Sequence, residues 1–498
     1  MAAEGFQIAR LIPVSGISSN TEAETRATSA LLSVLTMVRD LSAAVLTPLG
    51  ASAARKALVE AFIETKFKLD DGTPVRPDGL IQVTYGSSVW KALVEVKTGH
   101  NVLEPDQLTN YVNLARQQGI DAVLTISNEI GIGTQHPCVG VRVRTNSKVQ
   151  LVHLSWTELV AHAVRAKVHR GVSDPEQAWI LGELIRYLQH PASGAMDLED
   201  MGANWPSARD AVREGTLRRT DPVCRELAQR WEQIVRFAAL RLGSSTGVDV
   251  QPVVAKAHAD PSVRLGHLTD ALATTGVVEG SLRIPGAVGD LIVAADLRAR
   301  RITTSATVPA PTDRGSRARV TWLLRQLGPD TPSDLVIEAY PRMARQPIAA
   351  GIAAVRENRD LLLDPDRREI LRFSLVRRCE MGQNRKDGGR SPGFIQSVTA
   401  AIDNFYGGVV QQIVPWTARP PQSRPSTPSA GRTDRAIEDA EDLDDAIGEA
   451  RAAAGQVPTE PRSSTEPPVT TEPEATEPWD EGTEMVVDVP PPAVPIEV

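Results

Sequence analysis

The apolar positions change period along this chain, and each change marks a new element. From Thr21 onward, Ala27, Leu31, Leu35 and Val38 recur at helical spacing, so one face of a helix is expected to be buried. Thr21-x-x-Glu24 fits a capping box, in which Glu24 turns back to the first backbone amide, and Pro48-Leu49-Gly50 closes the segment. Val59 to Phe67 then alternates, as a half-buried strand does. After a turn at Asp70-Asp71-Gly72, Val75 to Val83 and Trp90 to Thr98 read as second and third strands, joined by a hairpin turn at Tyr85-Gly86-Ser87-Ser88. Pro105-Asp106 opens a helix that runs to about Gln118, with Gly119 as its stop. Asp121 to Ser127 is a short apolar strand of the buried kind, and a further strand is expected at Lys148 to Leu154. Helix, three strands, helix and strand predict an α/β core, α-β-β-β-α-β, layered around a mixed sheet over residues 1–155.

Beyond it the period is helical over 156–245, at Thr157 to Val168, Pro175 to Gln189, Ser207 to Arg213 and Asp221 to Leu242. Trp179, Trp205 and Trp231 are expected to anchor the packing, with Leu181, Leu184, Ile185 and Leu188 on one buried face. Residues 250–416 mix the two periods and predict a separate α+β unit. Its strands fall at Gly276 to Ile284, Leu291 to Asp296, Ile302 to Val308, Leu335 to Tyr340 and Glu369 to Val376, with helices at Ala318 to Leu327 and Ile348 to Leu361. From 417 to 498 the chain turns to Pro, Ser, Thr and Glu. So little apolar side chain is left to bury that a disordered tail is expected, with partner docking, or competition with nucleic acid for the basic body, as its role.

A chain of 498 residues is too long for one core, and its length fits roughly two to four domains. No apolar run reaches the roughly 18–20 residues of a membrane span, and Met1 to Arg10 lacks the pattern of a signal peptide, so a cytoplasmic protein without membrane contact is expected. Cys138, Cys224 and Cys379 are few and far apart, which fits a reducing compartment. The net charge of -8 is unevenly spread: 417–498 carries 6 Arg against 18 Asp and Glu (6 - 18 = -12), leaving the body at 48 - 44 = +4. A mildly basic body with an acidic tail suits a polyanion partner. Only 9 of the 54 basic residues are Lys, so Lys97 stands out.

Lys97 belongs to the most informative stretch. Arg-Pro-Asp-Gly-Leu-Ile at 76–81 is followed by Trp-Lys-Ala-Leu-Val-Glu-Val-Lys-Thr-Gly at 90–99, which brings Asp78, Glu95 and Lys97 to the ends of neighbouring strands. Residues two apart on a strand share a face, so Glu95 and Lys97 point together while Val94 and Val96 pack on the other side. Two carboxylates and an ammonium are what metal-assisted phosphodiester hydrolysis needs, because oxygen ligands hold a hard divalent cation and that cation offsets phosphate charge. Elsewhere, Arg298, Arg300 and Arg301 gather in one turn and Arg314, Arg317 and Arg319 in another; such loops could touch phosphates, but with no aromatic interleaved an ordinary surface is the expectation. His136-Pro-Cys138, with no second Cys-His cluster, reads as a loop rather than a metal site.

Pro77-Asp78 and Glu95-Val96-Lys97, in that order between the flanking helices, resemble the PD-(D/E)xK nuclease superfamily. This is the fold of restriction endonucleases, Holliday-junction resolvases and RecB-type exonuclease domains. Gln107-Leu-Thr-Asn-Tyr111 resembles the Gln-x-x-x-Tyr element of RecB-type members, and the resemblance covers residues 21–127. It implies that Asp78, Glu95 and the Val96 carbonyl bind Mg2+ or Mn2+, and that Lys97 orients the attacking water or neutralises the transition state. Gln107 and Tyr111 would support the site or contact substrate. Glu24 takes the place where many members keep an additional acidic residue, with Glu22 and Glu64 as rivals for it. The whole chain is also similar to a bacterial group labelled stress-response proteins.

The expectation is therefore a Mg2+-dependent nuclease acting on nucleic acid, DNA ahead of RNA, in stress response, repair or defence. The competing expectation is a nucleic-acid-binding or scaffold protein, built on the same fold without catalysis. No P-loop, Ser-His-Asp set, helix-turn-helix or zinc finger accompanies either.

Overall fold

The computed structural model describes residues 11–13, 17, 19–52, 54–133, 135–144 and 147–417. The tail expected over 417–498 lies, apart from Thr417, outside them. The chain is mixed α/β, and its first sheet is itself mixed.

Helix α1 (Asn20–Met37) begins a residue earlier than its apolar period suggests. Its N-cap is Ser19, whose side chain accepts the Glu22 amide, so the capping box expected at Thr21 and Glu24 does not form and the Glu24 carboxylate is left for other partners. At Val38 the backbone turns extended, and α2 (Arg39–Leu46) leaves at 107° to α1. Strand β1 (Leu58–Ile63) stops short of the expected Phe67 because Glu64 takes a left-handed φ of 52°. A small hairpin follows, β2 (Phe67–Lys68) with β3 (Pro74–Val75). The strand expected from Val75 to Val83 is thus broken at Arg76-Pro77-Asp78, and β4 (Gly79–Tyr85) starts afresh. A two-residue loop turns it into β5 (Ser88–Val96), with Gly86 at φ 59° in the first loop position, where a type II′ hairpin requires glycine.

Helix α3 (Pro105–Gln118), with Gly119 at φ 63° as its left-handed stop, returns the chain to β6 (Ala122–Ser127), after which β7 (Gln150–Ser155) completes the sheet. The order is β1-β4-β5-β6-β7; the first three strands pair antiparallel and the last three parallel. Val94 and Val96 face a core shared with Leu31, Leu35 and Leu41, whereas Leu93 and Val123 face Leu108 and Tyr111 of α3 on the other side. At Gly79 an added Cβ would stand 2.5 Å from Leu32 Cδ1, so α1 lies this close to the sheet only over glycine.

The helices of 156–245 divide between two cores. α4 (Trp156–Val164) and α5 (Pro175–Leu188) bury Trp156, Leu181, Leu184 and Leu188 against the first sheet. α6 (Trp205–Glu214) and α7 (Pro222–Thr246) bury Trp205 and Trp231 in the core of the second. Trp179 is 55% exposed on α5, contrary to the anchoring role expected of it, because it points away from the face that Leu181 and Leu184 bury.

The second sheet is built from β8 (Gln251–Val253), α8 (Pro261–Thr274), β9 (Val277–Arg283), β10 (Leu291–Asp296), β11 (Arg301–Pro309), α9 (Ser316–Gln326), β12 (Val336–Pro341), β13 (Ile348–Gly351), α10 (Ile352–Glu357), β14 (Ile370–Glu380) and α11 (Phe394–Gly408). Its seven strands are all antiparallel, in the order β13-β12-β14-β11-β10-β9-β8. The helix expected from Ile348 starts only at Ile352, because Ile348 to Gly351 pair with β12 and pairing overrides a helical propensity. Two of these arginines bond within the fold: Arg298 donates to the Val212 and Ala273 carbonyls, and Arg319, on α9 and 1% exposed, donates to the Ile370 carbonyl beside Glu369, whereas Arg300, Arg301 and Arg317 are exposed. Among the described residues no single helix is long and apolar enough to cross a membrane.

Candidate active site

Asp78 is the last residue before β4 and Glu95 the next-to-last of β5, and because Gly79 pairs with Val94 the two acids are neighbours at one end of the sheet. Asp78 Oδ2 accepts the Val96 amide at 2.8 Å, which ties the broken strand to the strand that carries Glu95. Lys97 directs its Nζ to Glu95 Oε1 at 2.6 Å and to Glu24 Oε1 at 3.3 Å. Glu24, released from capping, also accepts the Thr98 amide at 3.4 Å and Asn101 Nδ2 at 3.0 Å. Of its rivals, Glu64 pairs with Arg76 at 2.6 Å and Glu22 with Arg26 at 3.4 Å. Of the three, Glu24 is the glutamate that bonds Lys97.

Gln107 and Tyr111 brace the site from α3. Gln107 Nε2 donates to the Tyr111 hydroxyl at 2.9 Å, and that hydroxyl donates to the Arg76 carbonyl at 3.1 Å, fixing the turn that presents Asp78. Burial, and then the Glu95 carboxylate, raise the Tyr111 pKa, so its proton stays in place.

Three carboxylates and one ammonium leave a charge of -3 + 1 = -2 when all are ionised, in a poorly solvated pocket. Burial and then the Asp78 charge push Glu95 up to about 7, against the pull of Lys97. Asp78 is raised as well, by burial, with the Val96 amide and Lys97 opposing. For Lys97, burial opposes the charged form, but Glu95 first and then Glu24 and Asp78 outweigh it and raise its pKa, so it remains an ammonium. Glu95 is 1% exposed, and its Oε2 is buried with no hydrogen-bond partner. An orphaned carboxylate oxygen next to a second carboxylate is the donor set of a hard cation. Among the described residues no group of three or more His, Cys, Asp or Glu converges as a ready metal cage.

His136 is part of a hydrogen-bonded row, not a metal site. Thr125, paired in register with Glu95 and with His153, has its Oγ1 2.8 Å from His136 Nε2 and 2.9 Å from His153 Nδ1. His136 Nδ1 accepts the Cys138 amide and His153 Nε2 meets the Glu129 carbonyl, so both rings are assigned as neutral with the proton on Nε2. Burial lowers His153 to about 4. The stability this contributes is present above the ordinary histidine range, near 6.5, and is lost as pH falls towards 4. The ring resonances of His153 are accordingly expected to stay unshifted from pH 8 down to about 5 in an NMR titration; a midpoint near 6.5 would contradict the row.

Sequence reasoning passed over Thr98, Asn101, Asn128, Trp156 and Gly194, all of which touch the segment around Lys97. No local pattern marks them, because they converge from separate elements. Trp156 and Gly194 lie in the helical stretch where no chemistry was expected. No family model matches this sequence, and no curated protein or solved structure matches it either.

Proposed function

We propose that this chain is a Mg2+- or Mn2+-dependent nuclease of the PD-(D/E)xK kind, hydrolysing phosphodiester bonds of nucleic acid, DNA ahead of RNA. The observation that carries the reading is Glu95: buried, with one oxygen on Lys97 and the other unpartnered, beside a second carboxylate. Its support also comes from the order of elements around 78–97, α1, β1, β4, β5, α3 and β6, which is the order the resemblance implies.

In this reading Asp78, Glu95 and the Val96 carbonyl would hold the cation, which would supply Lewis-acid polarisation of the scissile phosphate and a water acidic enough to act near neutral pH. Asp78 keeps the two strand ends in register through its bond to the Val96 amide. Lys97, held as an ammonium, is a charge and a proton donor and not the base; it orients the attacking water and offsets charge on the phosphate. Glu24 is the second carboxylate on the ammonium, and Gln107 and Tyr111 keep the Asp78 turn in place. Calorimetric titration of the full chain with Mn2+ tests the site. Heat of binding is expected for the wild type and at least a tenfold weaker association for Asp78→Asn; equal isotherms would remove the metal site and leave a nucleic-acid-binding scaffold as the better account.

A further inference from the structure

The nuclease motif ends at Lys97, yet the backbone from there to Gly99 is held in part by Asn128, Trp156 and Gly194, outside the stretch that carries the resemblance. The Lys97 amide donates to the Ile126 carbonyl at 2.7 Å, and Trp156 Nε1 donates to the Lys97 carbonyl at 2.9 Å. The Thr98 amide goes to Glu24. The Gly99 amide donates to the Gly194 carbonyl at 2.8 Å, and the Gly99 carbonyl accepts Asn128 Nδ2 at 2.9 Å. From Lys97 to Gly99 these bonds come from α1, β6 and the residue just past it, α4 and the turn after α5, and with the Asn101 amide on the Thr98 carbonyl at 3.2 Å all six backbone groups are satisfied.

Asn128 sits at the centre of this clamp. Its Nδ2 also donates to the Gly194 carbonyl at 2.9 Å, and its Oδ1 accepts the Met196 amide at 2.7 Å. Two carbonyls and one amide around a single side-chain amide admit only one orientation of its oxygen and nitrogen, so the assignment is fixed by its partners. The approach is as close as backbones allow: Gly194 has a left-handed φ of 74°, and an added Cβ there would stand 2.8 Å from Thr98 Cβ and 3.1 Å from the Gly99 amide.

We infer that Asn128 is a positioning residue for Lys97, and that the turn at 191–196, on which it clamps Gly99, is a working part of the active site. The inference rests on the nuclease reading of that site. Lys97 is the first residue past β5; its amide still bonds the Ile126 carbonyl of β6, but the bonds that hold Thr98 and Gly99 after it come from outside the strands. Its ammonium must nevertheless sit between Glu95 and Glu24, and a misplacement of about 1 Å costs on the order of 10²-fold in rate. The clamp supplies the rigidity that the strand has ceased to give. The helical region after 155 thereby completes the site that the motif begins.

The test uses the full chain and two variants, Asn128→Ala, which removes the clamp, and Gly194→Ala, which wedges it open. Three quantities are read: single-turnover Mg2+-dependent cleavage of a DNA duplex and of a single strand, the substrate concentration at half-saturation, and amide hydrogen exchange over 97–101. Both variants are expected to cleave roughly 10- to 100-fold more slowly, with half-saturation nearly unchanged and exchange at Thr98 and Gly99 accelerated; the melting temperature is expected to stay nearly unchanged in Asn128→Ala and to fall in Gly194→Ala, which forces a side chain onto a positive φ. Wild-type cleavage that both variants retain, or exchange that neither alters, overturns the positioning role alone. A fall in rate that only tracks a fall in melting temperature reduces Asn128 to fold support and overturns it too. A wild type that cleaves neither substrate in Mg2+ or Mn2+ overturns the nuclease reading, and the inference with it.

Discussion

Lys97→Ala is expected to lower Mg2+-dependent phosphodiester cleavage by ~10²–10³-fold, the scale set by removing one preorganised donor to developing charge. The ammonium is held between Glu95 at 2.6 Å and Glu24 at 3.3 Å, and carboxylate charge keeps it protonated, so alanine removes a fixed positive charge and not a base. Metal affinity is expected to survive, because Asp78 and Glu95 remain. Lys97→Arg is expected to recover little: a planar fork does not fit a point between two carboxylates. Single-turnover rates measured beside Mn2+ calorimetry separate the two steps. Activity unchanged in Lys97→Ala would end the assignment of the site.

In the absence of metal, Glu95→Gln is expected to stabilise the protein, and more so as pH rises. Folding raises Glu95 from 4.5 to about 7, so between those values the folded state binds the proton that the unfolded state releases. Stability from this group is therefore greatest below about pH 4.5 and is lost as pH rises through 7, by on the order of 3 kcal/mol. Glutamine mimics the protonated acid and escapes that loss. His136, His153 and His162 pull the other way, because burial lowers each of them and their contribution is lost as pH falls. The difference between wild type and Glu95→Gln, not the wild-type profile alone, isolates the effect. Urea unfolding in chelator at pH 5 and pH 8 reads it, and Mn2+ is expected to reverse the order by stabilising the ionised wild type. Equal stability of the two proteins at pH 8 would mean that Glu95 is not held against its charge.

Both predictions turn on residues legible from spacing alone. Asp78, Glu95 and Lys97 could be read because a strand presents alternate residues on one face and a hairpin brings its two strands into fixed register. Helix α3 could be read to the residue, since Pro105 opens it and Gly119 closes it. Elements failed where a local rule met a tertiary competitor. Thr21 and Glu24 make a good capping box, but Ser19 caps the helix and Glu24 is drawn to Lys97, 73 residues away. Ile348-Ala-Ala-Gly351 has helical composition but completes a strand pair with β12. Trp179 shares a helix with buried leucines but lies on its open side.

The sequence by itself determined the main helices and strands of residues 21–155, though not α2 or the β2–β3 hairpin, the pair of acids and the lysine, and the absence of any apolar run of membrane-spanning length. These depend on periods of two and 3.6 residues and on turn chemistry, which act within a few positions of one another. Only the tertiary structure decided which glutamate meets Lys97, that Glu95 is buried with an oxygen unpartnered, and that Asn128, Trp156 and Gly194 hold the backbone beyond it. The reason is physical: hydrogen bonds of about 3 Å between residues 29 to 95 positions apart depend on where distant elements pack, and no local pattern records them.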